Sequence, residues 1–124
     1  MNLFVYGTLL NACDNPMAQL LRQNAQLIGH GYVPGRLFDL GYYPGATYES
    51  DSPHRVWGDV FAITNNTILT QLDDYEGDDY ARIDVPVQME GSQANLRWVR
   101  CQMYIFLRSD GQQRLIESGN YLGK

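Results

Sequence analysis

Glycine and proline fall inside the apolar segments of this chain, and that placement limits what it can fold into. Between Leu27 and Leu40 a strand-like run is broken by Gly29, Gly31, Pro34 and Gly35, and Pro86 interrupts Ile83 to Met89. Such residues belong on bends, bulges and sheet edges rather than in flat central strands. Leu3 to Tyr6, ended by Gly7, reads as a buried first strand, and Val56 to Ile63 as another. Leu96 to Leu107 is the clearest: Val99, Cys101, Met103, Ile105 and Leu107 alternate onto one face, with Arg100 and Gln102 on the other. Glu90 to Asn95 reads as a hairpin-like connection, and Tyr43-Pro44-Gly45 as a turn. Only two stretches carry helical spacing. Asp14 or Asn15 before Pro16 opens the first, with Met17, Leu20 and Leu21 on one face to about Ala25. Asn65 or Asn66 opens the second, with Ile68, Leu69, Leu72 and Tyr75 in phase and Gly77 at its end. The tail from Arg108 is polar until Ile116. Many strands, two short helices and glycines within strands predict an α+β fold: a small, strongly bent sheet or β-barrel with two short flanking helices. A length of 124 residues predicts a single domain over residues 1–124.

The charge is concentrated. Nine Lys and Arg against fourteen Asp and Glu give a net charge of −5. Asp73, Asp74, Glu76, Asp78 and Asp79 supply five acids with no base among them, and the rest of the chain is neutral. That balance argues against nucleic acid, whose phosphates need a basic face, and against an anionic membrane surface. The opening Met1-Asn2-Leu3-Phe4-Val5-Tyr6-Gly7 has neither the basic region nor the apolar run of a signal peptide, and no stretch is long enough to span a membrane, so a cytoplasmic location is expected. Cys13 and Cys101 fit a reducing compartment and do not make a metal motif. No metal or cofactor is expected, and no feature sets an oligomeric state.

Two segments carry chemistry. In Val5-Tyr6-Gly7-Thr8-Leu9 a glycine closes the first strand. The backbone there either makes a plain turn or presents successive N–H groups as a nest for a carboxylate or oxyanion. It lacks the glycines and lysine of a phosphate loop. In Asp73-Asp74-Tyr75-Glu76-Gly77-Asp78-Asp79-Tyr80-Ala81-Arg82, Glu76 falls at a helix C-terminus among four aspartates. The helix dipole and those neighbours are both expected to raise its pKa toward the range useful for proton transfer. A solvated acidic helix end and a calcium site are the competing readings, although the ligand order of an EF-hand is missing. His30 and His54 are isolated, Cys101 is expected in the core, and there is no nucleophile elbow. Tyr6, Tyr80 and Tyr121 flank the two segments and are candidate pocket residues.

Together the segments resemble the gamma-glutamylcyclotransferase-like family. The resemblance rests on Val5-Tyr6-Gly7-Thr8-Leu9, Tyr43-Pro44-Gly45, Val56-Trp57-Gly58-Asp59-Val60-Phe61, Leu72-Asp73-Asp74-Tyr75-Glu76-Gly77 and Tyr80-Ala81-Arg82. It extends to Ser118-Gly119-Asn120-Tyr121, with Asn120 where aspartate is commoner, and so spans nearly the whole chain. It implies a compact β-barrel with flanking helices, a cavity at one end, and a small-molecule substrate carrying a γ-glutamyl group. Glu76 would be the catalytic acid/base, and Tyr6-Gly7-Thr8-Leu9 would hold the glutamyl head. Tyr80, Arg82 and Tyr121 would be further substrate contacts, or Arg82 would instead neutralise Asp78 and Asp79. The implied reaction closes the substrate's own amine onto its γ-carbonyl, giving 5-oxoproline and a free amine or amino acid, with no covalent nucleophile, metal or cofactor. The loop is at least as similar to the branch acting on γ-glutamylamines as to that acting on γ-glutamyl amino acids, and glutathione is less favoured. The alternative is a non-catalytic module binding a γ-glutamyl or carboxylate ligand in the same cavity.

Overall fold

The computed structural model describes residues 1–91 and 97–123. Most of the connection expected over Glu90 to Asn95, and the first residue of the strand expected from Leu96, lie outside the described residues. The elements in chain order are β1 (Asn2–Val5), α1 (Pro16–Gln23), β2 (Ala25–Pro34), β3 (Leu37–Asp39), β4 (Pro44–Ala46), β5 (Arg55–Ile63), α2 (Ile68–Glu76), β6 (Tyr80–Met89), β7 (Arg97–Phe106) and β8 (Arg114–Leu115), followed by a 3₁₀ turn over Tyr121–Gly123.

Five strands form a closed barrel in the order β1-β5-β2-β6-β7. The pairs are antiparallel except the one that closes it, where β1 meets β7 in parallel at Leu3 with Gln102 and Phe4 with Met103. The bends expected of the glycine-rich run are present. The register of β2 against β5 shifts between Leu27 and Gly29, which leaves Ile28 as the extra residue of a bulge. Pro86 lies opposite Arg100 in β6, whose other side meets β2 only near Met89, so the proline occupies a free edge.

The strand faces divide the core in two. Phe4, Val33, Val56, Val60, Val85, Val87, Cys101 and Met103 fill the barrel. Leu3, Val5, Phe61, Ile63 and Tyr104 alternate outward and pack with Leu21 of α1 and Ile68 and Leu72 of α2. β1 and β5 are thus buried on both faces, which is why they read as continuous apolar runs.

Several expected boundaries move. Leu27 to Leu40 contains strands of two sheets: β2 belongs to the barrel, and β3 to a small sheet ordered β4-β3-β8. Tyr43-Pro44-Gly45 is not a turn, because Pro44 begins β4, and the reversal lies just before it, closed by the Leu40 N–H donating to the Tyr43 carbonyl. The polar tail contributes β8, and Leu107 lies exposed beyond the end of β7. Helix α1 starts as expected, with Asn15 Oδ1 accepting from the Ala18 N–H at 2.8 Å and Pro16 in the first turn, but it ends at Gln23. The cap of α2 is Thr67, while Asn65 accepts from the Thr67 N–H and hydroxyl just outside the helix. Gly77 ends α2 with φ 82°, a conformation that costs other residues.

Candidate active site

Helix α2 and the loop after β1 meet at one end of the barrel and enclose a cavity of about 450 Å³. That volume suits a small-molecule ligand. Its wall includes Tyr6, Gly7, Thr8 and Leu9 from the loop, Glu76 and Tyr75 from α2, and Tyr80 from β6. Tyr42, Tyr43, Pro44, Asp79 and Tyr104 also line it.

The Gly7 carbonyl accepts from the Leu10 N–H at 3.0 Å and from the Cys13 thiol at 3.4 Å, and the Thr8 carbonyl accepts from Asn15 Nδ2 at 2.7 Å. These bonds occupy the carbonyls, whereas no described residue accepts a hydrogen bond from the N–H of Gly7, Thr8 or Leu9. All three residues line the cavity. Asp59, a buried carboxylate on β5, secures the next turn: its Oδ2 accepts from the Asn11 N–H at 2.8 Å, and its Oδ1 lies 2.5 Å from His30 Nδ1. His30, isolated in the sequence, is therefore one half of a pair. Gly7 is required by contact, since a Cβ there would lie 2.4 Å from Cγ of Pro44, which packs against it.

Glu76 is half-buried at the end of α2, and burial pushes its carboxyl from 4.5 up to about 7. No described residue donates a hydrogen bond to it or forms an ion pair with it. Of the four aspartates expected to contribute, Asp73 is paired with Arg82 at 3.0 Å and Asp79 with Arg108 at 2.8 Å. Burial is the cause of the Glu76 shift. Tyrosines surround the group. Burial raises the pKa of Tyr6, Tyr80 and Tyr104, and the neighbouring Glu76 charge raises it further in each. The Tyr6 hydroxyl donates to the Tyr104 carbonyl at 2.7 Å and accepts from the Ala46 N–H at 3.3 Å. The Tyr80 hydroxyl donates to the Pro44 carbonyl at 2.7 Å. Across the mouth, the hydroxyls of Thr8 and Tyr75 lie 2.9 Å apart.

The structure thus gathers Tyr6, Gly7, Thr8, Leu9, Glu76 and Tyr80 around one space and leaves two expected contacts outside it. Arg82 is bonded to Asp73 rather than to Asp78 or Asp79, and lies in a shallower groove behind α2. Tyr121 packs between the two halves of the core, its hydroxyl 3.4 Å from the Tyr42 carbonyl. Tyr104 was hidden in the sequence within an apolar strand; its alternation with Gln102 was the only signal. Among the described residues no cluster of three or more His, Cys, Asp or Glu is arranged to hold a metal. No described helix is long and apolar enough to cross a membrane.

The family model for "Gamma-glutamyl cyclotransferase, AIG2-like" matches residues 3–123. The chain belongs to this family. It is 34% identical over 127 aligned positions to the gamma-glutamylcyclotransferase family protein YtfP of Escherichia coli K12, covering 100% of this chain and 98% of that protein. Among solved structures, an AIG2-like protein of Mus musculus superposes with a TM-score of 0.76 at 23% identity, covering 97% of this chain and 86% of that one. A protein of Pyrococcus horikoshii gives 0.71 at 18%, covering 98% and 89%. These likenesses show that the barrel with two helices is the AIG2-like fold.

Proposed function

We propose that this AIG2-like protein is a γ-glutamyl cyclotransferase, converting a small γ-glutamyl compound into 5-oxoproline and a free amine or amino acid, with Glu76 as acid and base. The supporting observation is a carboxyl with a pKa of about 7, unpaired among the described residues, on the wall of a cavity shared with Gly7, Thr8 and Leu9, whose N–H groups have no acceptor among the described residues.

The α-amine of a γ-glutamyl group can reach its own γ-carbonyl by closing a five-membered ring. Holding the substrate folded supplies much of the rate, up to about 7–11 kcal/mol in ideal cases. Ionised Glu76 takes a proton from the amine as its nitrogen bonds to the γ-carbon. The carbonyl oxygen becomes an oxyanion, which donors such as the loop N–H groups stabilise in a partly desolvated site. The intermediate then collapses, the original amide C–N bond breaks, and Glu76 returns its proton to the departing nitrogen. Atoms and charge balance without a covalent enzyme intermediate. A carboxyl near pH 7 suits both transfers better than one at 4.5.

The test is incubation of the purified protein with γ-glutamyl amino acids, γ-glutamyl-ε-lysine and glutathione, with 5-oxoproline read by mass spectrometry beside Glu76→Gln. Product from the wild type alone is expected, and the best substrate names the leaving group. Equal product from Glu76→Gln would remove the acid/base assignment. Saturable binding of the same compounds without product would make the cavity a binding site only.

A further inference from the structure

Glu76 occupies the last turn of α2, where helix ends ordinarily fray. Beyond the bonds within the helix, the Gly77 N–H holds that turn by donating to the Asp73 carbonyl at 3.0 Å. The side chain of the same Asp73 provides a second hold. Its Oδ1 accepts from the Tyr104 hydroxyl at 2.6 Å and from Arg82 Nε at 3.0 Å, and its Oδ2 accepts from Arg82 NH2 at 3.1 Å. Arg82 and Tyr104 are direct partners in the β6–β7 ladder, which puts both side chains on the same face of the sheet. Arg82 is in turn held through NH1 by Gln102 Oε1, and Gln102 donates to Asp84 at 3.1 Å. The barrel wall therefore offers a phenol and a planar fork, and the carboxylate one turn before Glu76 receives both.

We propose that Arg82 and Tyr104 are positioning residues for Glu76, gripping the last turn of α2 through the Asp73 carboxylate. The inference rests on the reading of Glu76 as the proton carrier. The grip does two things. It fixes where the Glu76 carboxyl stands relative to the loop N–H groups, and it neutralises the nearest acid on its own helix. Burial opposes ionisation of Asp73, yet the bonds from Arg82 and Tyr104 hold its pKa below the ordinary value. The other groups near Glu76 are Tyr75 on its own helix, Tyr6 and Tyr43 from the loops, Tyr80 on β6, Tyr104 on β7, and Asp79 with its partner Arg108.

The test uses Tyr104→Phe, Arg82→Ala and Arg82→Lys, singly and in an Asp73→Ala background, with folding checked by circular dichroism. The substrate is whichever γ-glutamyl compound the wild type turns over. Tyr104→Phe and Arg82→Ala should each lower kcat by about 10-fold or more with KM nearly unchanged, since small misplacements of a reacting group are costly. In the Asp73→Ala background neither should cost anything further. A full additional loss from Tyr104→Phe there would overturn the assignment by making Tyr104 a direct substrate contact, and wild-type kcat in both single variants would overturn it outright.

A second readout needs no turnover. The Glu76 side-chain carboxyl is titrated by ¹³C NMR, with its signal identified by its loss in Glu76→Gln. In Arg82→Ala the unneutralised Asp73 should move the midpoint upward by about half a pH unit or more. Arg82→Lys, which keeps the charge but not the fork, should restore the midpoint while leaving kcat low. An unchanged midpoint in Arg82→Ala would refute the neutralising part. If Glu76→Gln still turns over, the proton-carrier reading fails, whereas a dead Glu76→Gln beside unaffected Arg82 and Tyr104 variants defeats only the present inference.

Discussion

Replacing Glu76 by glutamine should stabilise the protein, and by an amount that depends on pH. The carboxyl titrates near 4.5 when unperturbed and at about 7 in the folded chain, where burial disfavours its charge. The native state therefore holds this proton more tightly than the unfolded state does. The associated stability is fully present below about pH 4.5 and is lost as pH rises through 7. The separation between the two values corresponds to about 3 kcal/mol. Glutamine has the shape of the protonated acid and never ionises, so the variant avoids that loss. Urea unfolding of both proteins from pH 4 to pH 8.5 would measure it. The two should be nearly equal at pH 4, diverge between 4.5 and 7, and differ by about 3 kcal/mol at pH 8 in favour of Glu76→Gln. Taking the difference between variants cancels the titration of the other carboxylates. A difference that is flat across this range would refute the claim that burial raises Glu76. A stability gain paired with lost turnover is the pattern expected where an active site keeps a strained group for function.

For the wild type, kcat/KM should rise with pH along an acid limb centred near 7, measured with the best γ-glutamyl substrate; a limb near 4.5 would show a carboxyl untouched by its surroundings. Gly7→Ala drives a methyl to within 2.4 Å of Pro44, so it should cost about 1–3 kcal/mol in urea unfolding and reduce kcat/KM as the cavity wall moves; wild-type values for both would contradict the close contact. Tyr6→Phe leaves the Tyr104 carbonyl and the Ala46 N–H without their buried partner and should destabilise by about 1–3 kcal/mol, whereas a neutral result would mean that water or a local shift satisfies both.

Much of the fold was legible because its signals are local. The alternation of β7, the double burial of β1 and β5, the Asn15-Pro16 helix start and the Gly77 helix end all follow from residues a few positions apart. The split of Leu27 to Leu40 into two sheets was not, because the choice of pairing partner for β3 is made by β4 and β8, and β8 comes from a segment that looks polar. The same distinction holds at the site. Glu76 and the Gly7 loop stand out by composition. Burial, the cause of the Glu76 shift, has no local signature, and sequence proximity counts aspartates without showing that Asp73 and Asp79 already have arginine partners. The placement of Arg82 behind α2 follows from its register with Tyr104, residues 22 positions apart, which no local pattern encodes.

The parallel pair that closes the barrel joins residues near opposite ends of the chain, Leu3 to Gln102 and Phe4 to Met103. β1 leaves the ribosome well before β7 and must therefore wait for it before this edge is covered. Until then, β1 exposes apolar side chains and an unpaired row of backbone groups, the combination that invites association with other chains. The closure also raises the mean sequence separation of native contacts, which places folding toward the slow, milliseconds-to-seconds end of small domains. The candidate site inherits that delay. Its loop follows directly from β1, and its cavity is also lined by Tyr104 of β7, so the pocket is complete only once β7 has joined β1.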